Sequence, residues 1–216
     1  MFHRALLLAC MLLGLGQSAW SATMFTTFGP GDSYQNAGPG ISIGGPVAGF
    51  QLQLAVGFIA GFTGTLNSIR VGVYNSAAIS TVDSFILSLT SDSSGSPGAT
   101  LESFTGLIFP NFPGGILTVN SSATPALTPG STYWIVLAAT NPAVTAGGWS
   151  LNNQGLNGLF ASRNLASSPT WTTAPSGTLP AVEVNAAAVP EPVALSLTLV
   201  GLAALVILRP RRARAA

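Results

Sequence analysis

The stretch Thr132–Ala138 reads TYWIVLA. It contains no charge, no Gly and no Pro, and it is rich in aromatic and β-branched side chains. Such residues pack well on a pleated surface, so the run reads as a strand. Both of its faces are apolar, which marks a central strand covered on each side. Two neighbours have the complementary pattern. In Ser84–Thr90 (SFILSLT), Phe85, Leu87 and Leu89 alternate with Ser84, Ser88 and Thr90. In Ser68–Tyr74, Ile69, Val71 and Val73 share one face. A period of two is the pattern of a strand with one buried face.

Outward from these, weaker strands fall at Phe50–Leu54, Leu101–Phe104, Ile116–Val119, Gly148–Leu151, Leu159–Arg163 and Ala181–Val184. Turn signals separate them: Ser94-Gly95-Ser96-Pro97-Gly98, Pro113-Gly114-Gly115, Thr128-Pro129-Gly130 and Asn157-Gly158. No helical stripe of useful length interrupts the region from Met24 to Asn185. Eight or nine short strands at this spacing predict an all-β body, an antiparallel β-sandwich of jelly-roll-like type, over residues 23–185.

Composition narrows the function classes. The charged fraction is 6%, against roughly 25% in an ordinary soluble domain. There is no lysine, and five of the seven arginines are Arg4, Arg209, Arg211, Arg212 and Arg214, near the two ends. Between Thr23 and Val189, Arg70 and Arg163 face five carboxylates, Asp32, Asp83, Asp92, Glu102 and Glu183, a formal charge of −3. A body without a basic patch is not built to grip a phosphate backbone, so no nucleic-acid partner is expected.

Both ends are apolar. The start, MFHRALLLACMLLGLGQSAWSA, has His3 and Arg4, an apolar run from Ala5 to Gly16, then small residues at Ser18, Ala19, Ser21 and Ala22. This is the layout of a secretory signal peptide over residues 1–22, with signal peptidase as partner. Cleavage after Ser21 puts small Ala19 at the −3 position. Leu7–Cys10 (LLAC) has the look of a lipoprotein box, but the apolar run continues past Cys10 through Leu15.

At the other end, Val193–Leu208 is uncharged, and ten of its residues are Leu, Ile or Val. As a helix it would span about 24 Å, somewhat short of a ~30 Å hydrocarbon core. Arg209, Arg211, Arg212 and Arg214 follow, in a basic tail of residues 209–216. The positive-inside rule keeps that tail cytoplasmic and the body outside. Before the helix, Pro190 and Pro192 bracket Glu191 and bias Val189–Pro192 to an extended peptide. Residues 186–216 are thus expected to form a linker (Ala186–Ala188), an extended motif, one transmembrane helix at 193–208 and the tail.

Val189-Pro190-Glu191-Pro192, then a short apolar helix, then an arginine cluster, resembles a PEP-CTERM sorting signal, also catalogued as the ice-binding protein C-terminal domain, a label that does not itself imply ice binding. The resemblance covers about the last 27 residues. It implies a Gram-negative bacterium and a membrane protease-transpeptidase, exosortase, that cuts near the motif. It further implies delivery from an inner-membrane-anchored precursor to the outer surface or extracellular matrix, with exopolysaccharide and biofilm as the usual company. In the body, Ser88–Thr105 (SLTSDSSGSPGATLESFT) and Leu127–Ala138 (LTPGSTYWIVLA) are similar to choice-of-anchor β domains, for which no catalytic residues can be carried over.

The candidate chemistry is sparse. His3 and Cys10 are the single His and the single Cys, and both lie in the leader. The body therefore has no nucleophilic triad, no thiol site and no nitrogen or sulfur metal site. No cofactor, metal or catalytic residue is expected. Asp92 and Glu102 offer a carboxylate pair for a hydrolase, yet Asp92 in TSDSSGSPG reads as a turn acid. The expected function is a non-enzymatic exported surface or matrix protein. The alternative is a lectin-like module acting on exopolysaccharide, for which Trp149 and Trp171, beside small polar residues near loops, are the candidate ligand-facing aromatics.

Overall fold

The computed structural model describes residues 20–36, 40–44, 51–75, 83–142, 145 and 147–189. Among them the chain forms β1 (Ser21–Thr26), β2 (Ile41–Ile43), β3 (Leu52–Ile59) and β4 (Gly64–Asn75). There follow β5 (Ser84–Asp92), β6 (Pro97–Ile108), β7 (Gly115–Asn120), β8 (Ala126–Leu127) and β9 (Thr132–Ala139). The last four are β10 (Gly147–Trp149), β11 (Asn157–Asn164), β12 (Thr172–Thr178) and β13 (Val182–Ala188). All pair antiparallel, in two sheets. One has the order β1-β13-β4-β10-β2, with β7 and β8 also on β4; the other runs β12-β11-β3-β9-β5-β6.

The chain changes sheets at almost every step that is not a hairpin. It passes from β3 to β4, from β4 to β5, from β6 to β7 and from β12 to β13. Sequence neighbours therefore meet across the core, not beside each other. Leu66, Ile69, Val71, Val73, Val182 and Val184 of the first sheet share one cluster with Leu54, Val56, Phe85, Leu87, Leu89, Ile135 and Leu137 of the second. None of these is more than 1% exposed. That common apolar layer makes the body a β-sandwich, and each such side chain contributes about 1.5–3 kcal/mol by leaving water. Phe85 and Phe109 add a tilted ring pair, 4.3 Å between centroids.

The reading of TYWIVLA holds. β9 lies between β3 and β5, with Tyr133, Ile135 and Leu137 in the shared core. Its opposite face is covered too: Trp134 and Val136 join Ala55 and Ala161 in a second buried cluster, flanked by Leu159 and Trp171.

Several expectations are corrected. The sequence suggested eight or nine strands; among the described residues there are thirteen. The sequence pattern hides β1 and β12, where Ser, Thr, Gly and Pro mask the alternation, and β2 and β8, which are three and two residues long and too short to show one. β12 (TTAPSGT) carries Pro175, which an edge strand tolerates because its outward N–H has no ladder partner. Asn157-Gly158 is not a turn but the start of β11; the chain reverses just before it, where Gly155 has φ +68°. Ala186–Ala188 is not a spacer. These residues continue β13, paired with Leu66, Thr65 and Gly64 of β4 on one side and, through Ala186 and Ala187, with β1 on the other. The predicted helix at 193–208, the arginines from Arg209 to Arg214, Pro190–Pro192 and nearly all of the leader lie outside the described residues.

On the outer face of the first sheet, Arg70 is held by two acids. Its Nη2 donates to Asp32 Oδ2 at 2.6 Å and its Nη1 to Glu183 Oε1 at 3.0 Å. The guanidinium also lies 5.5 Å from the Phe28 ring centroid. The hydrogen bond from Arg70 holds the Asp32 carboxyl below its ordinary value, more than offsetting burial. Arg70→Met keeps the stem but strands Glu183, whose side chain is 13% exposed. It should destabilise the body by about 1–2 kcal/mol, a partly screened ion pair. Urea unfolding of the variant measures this.

Candidate functional site

On the outer face of the second sheet, strands β3, β5, β6, β9 and β11 carry an open groove of about 290 Å³. Alternation builds it. Where Phe85, Leu87 and Leu89 turn inward, Ile86, Ser88 and Thr90 turn outward and line the groove. Val136 and Ala138 of β9 continue its apolar floor, and Gln53, Arg163 and Trp171 close one side.

Trp134 shores up the base. It is fully buried, and its Nε1 donates to Asp92 Oδ1 at 2.8 Å. It lies flat because its partner in β3 is Gly57: a Cβ there would sit 3.1 Å from the Trp134 ring and 2.8 Å from Leu159 Cβ. Asp92 also accepts the Gly95 N–H at 3.0 Å, so the turn-acid reading of this residue holds.

The wall is set by the loop after β11. Asn164 Oδ1 accepts from the backbone N–H of Gln51 at 2.9 Å and Ala166 at 3.2 Å, while its carbonyl takes the N–H of Ser168 at 2.7 Å. The folded loop brings Trp171 back over Arg163, with the guanidinium 4.5 Å from the ring centroid. Arg163 Nε donates to Gln53 Oε1 at 2.7 Å and Nη1 to the Pro169 carbonyl at 3.3 Å. Burial lowers its pKa below the ordinary arginine value, and it stays charged at any physiological pH.

Compared with family models, curated proteins and solved structures, the chain has no significant match. The site must therefore be read from its own geometry.

The two aromatics singled out in the sequence have different fates. Trp171 stands on the groove wall, part-buried. Trp149 does not face solvent: it is fully buried in the shared core, and its Nε1 donates to the Ala181 carbonyl at 2.9 Å. Its glycine neighbours are among the small residues that suggested an exposed place near a loop. They are packing residues: a Cβ on Gly147 would lie 2.3 Å from the Phe109 ring. Gly147→Ala should accordingly cost about 1–3 kcal/mol, as overpacked core positions do, which thermal unfolding checks.

The carboxylates do not converge. Asp92 serves Trp134 on the outer face, whereas Glu102 reaches the turn after β7, in the other sheet's connection. Among the described residues no group of three His, Cys, Asp or Glu is placed to hold a metal. Sequence reasoning missed Gln53, Thr90 and Arg163. Arg163 could have been flagged as one of two arginines in the body, but nothing local joins it to residues 110 and 73 positions away.

Proposed function

We propose that the chain is an exported, non-enzymatic surface or matrix protein of a Gram-negative bacterium. In this reading a signal peptide and a PEP-CTERM-type segment deliver a jelly-roll body, and an exosortase-type transpeptidase removes the tail. The strand order supports the jelly roll. Within the seven- and six-stranded sheets, the runs β1-β13-β4-β7 and β3-β9-β5-β6 have the strand order and alternating crossings of that architecture.

The observation that carries the proposal is where the body ends. The compact unit runs from Ser21 to Ala188; its C-terminal limit adjoins the expected sorting motif at Val189, whereas the expected leader, residues 1–22, overlaps the first two residues of β1. Ser21 pairs with Ala187, so the first and last strands of the unit, β1 and β13, lie side by side. Val189, first residue of the sorting motif, follows β13 unpaired and half exposed. A cut beyond Ala188 removes none of the described strands. A cut inside Ala186–Ala188 would strip pairs from β13, whose neighbours are β1 and β4.

Deleting residues 189–216 should release a folded body into the periplasm or medium, read by cell fractionation with circular dichroism. A deletion variant that fractionates like the parent would overturn the proposal. Extending the deletion to 186–216 should lower stability measurably, since β13 then loses its last three pairs with β4.

A further inference from the structure

The two arginines of the body are treated differently. Arg70 has Asp32 and Glu183 at salt-bridge distance; Arg163, among the described residues, has no acid at all. Its partners are an amide oxygen, a backbone carbonyl and a ring face, all neutral. It is also the charged residue lining the groove, and no carboxylate lines it. A cation fixed in place by neutral groups keeps its attraction for an anion.

A second observation comes from the groove floor. Thr90 lines it, is 4% exposed, and its Oγ1 has no hydrogen-bond partner. Buried hydroxyls in native proteins are nearly always paired, so one buried without a partner beneath a depression asks for a ligand group or water to reach it. Gln53 has its Oε1 on Arg163, which turns the donating end of the amide to other partners. Arginine, amide and hydroxyl thus surround an apolar floor of Ile86, Val136 and Ala138.

The backbone excludes one class of occupant. The strands under the floor, β3, β5 and β9, are each paired on both sides, β3 with β9 and β11, and β5 with β6 and β9, while β6, which also lines the groove, is the edge strand and is unpaired only on its outer side. An extended peptide could not add itself to that floor by main-chain pairing. The ligand must be read by side chains, presenting C–H surface to the floor and hydroxyl and carboxylate groups to the wall. The volume, about 290 Å³, is at the small end of ligand pockets, which run from about 300 Å³ upward.

We infer that this groove binds a short segment of an acidic, uronate-bearing glycan, with Arg163 on the sugar carboxylate and Thr90 and Gln53 on its hydroxyls. The inference goes beyond the export reading and stands without it, because fractionation tests delivery and calorimetry tests the groove.

The test is titration calorimetry of the full chain with tetragalacturonate, and with maltotetraose as the neutral match. Tetragalacturonate should bind, more weakly at higher salt, and maltotetraose should bind about tenfold or more weakly. Arg163→Gln should lower affinity for the acid by about tenfold, with Arg163→Lys between. Because Arg163 also braces the loop, Thr90→Val is the decisive variant. It removes an unpaired hydroxyl at nearly constant volume, so stability should hold or rise, while affinity falls several-fold. Equal binding of both oligosaccharides would remove the role of Arg163. Binding of neither, binding unchanged in Thr90→Val, or equal binding of an oligoglutamate peptide would overturn the glycan site.

Discussion

Trp149→Ala should destabilise the body by about 3–5 kcal/mol, the usual cost of emptying a fully buried aromatic position. Trp149 is inaccessible to solvent and sits in β10, a strand of three residues held between β4 and β2. It is the one side chain larger than a hydrogen that this strand puts into the core, since its other two residues are Gly147 and Gly148. The Ala181 carbonyl would still accept the Gly72 N–H at 3.0 Å, so the loss is mainly packing and a cavity. Trp149→Phe keeps most of the volume and should cost about 1–2 kcal/mol. Denaturant titration reads both, and domains of this kind hold only about 5–15 kcal/mol in all. A loss below about 1 kcal/mol in the alanine variant would contradict the core placement. The same variant should leave glycan affinity unchanged, since Trp149 belongs to the core cluster and not to the groove.

Glu102 governs the second large effect. It is 7% exposed on edge strand β6, yet it bonds to the turn that follows β7 of the other sheet. Glu102 Oε1 accepts the N–H of Ser122 at 2.7 Å and of Ala123 at 3.0 Å, and Oε2 accepts the Ser121 hydroxyl. Ser121 Oγ in turn accepts the Thr124 N–H at 2.9 Å, which braces the turn at Thr124, where φ is +45°. Burial by itself would raise this carboxyl, but the Ser121 hydroxyl and the two backbone donors outweigh it, and the pKa falls below its ordinary value of 4.5.

The sign of the pH effect follows. A carboxyl that titrates lower when folded gives its full stabilisation above the unfolded value, and loses it as pH falls through the lower folded one. Parent stability should therefore drop below about pH 4.5, and Glu102→Gln should flatten that slope. At neutral pH Glu102→Ala should cost about 2–3 kcal/mol through unpaired donors. Urea unfolding across pH 3–7 measures both, and a parallel acid slope in Glu102→Gln would assign the effect elsewhere.

How much was legible varied with the kind of signal. Phe85, Leu87 and Leu89, and likewise Ile69, Val71 and Val73, declare their inward face by spacing, and all six are fully buried. TYWIVLA declares two covered faces, and β9 has them. Where side chains are small the pattern carries no such information. Ala186–Ala188 looked like a spacer because alanine has no strand preference, yet β1 and β4 on either side hold it in a sheet. The strand at Gly148–Leu151 is legible, but the inward placing of Trp149 is not, because the rings that need the space at Gly147 and Gly148, Phe109 and Tyr74, are remote in sequence.

The amino-acid order alone determined the all-β class, the inward faces of the central strands and the low charge of the body, because alternation and composition are local properties of a chain. The groove was decided by tertiary structure. Gln53, Thr90, Arg163 and Trp171 come from four separate segments, and only strand pairing between β3, β9, β5 and β11 places them on one face. Strand order also decides that Arg70 meets two acids while Arg163, among the described residues, meets none, which turns two identical side chains into a structural clamp and an open cation.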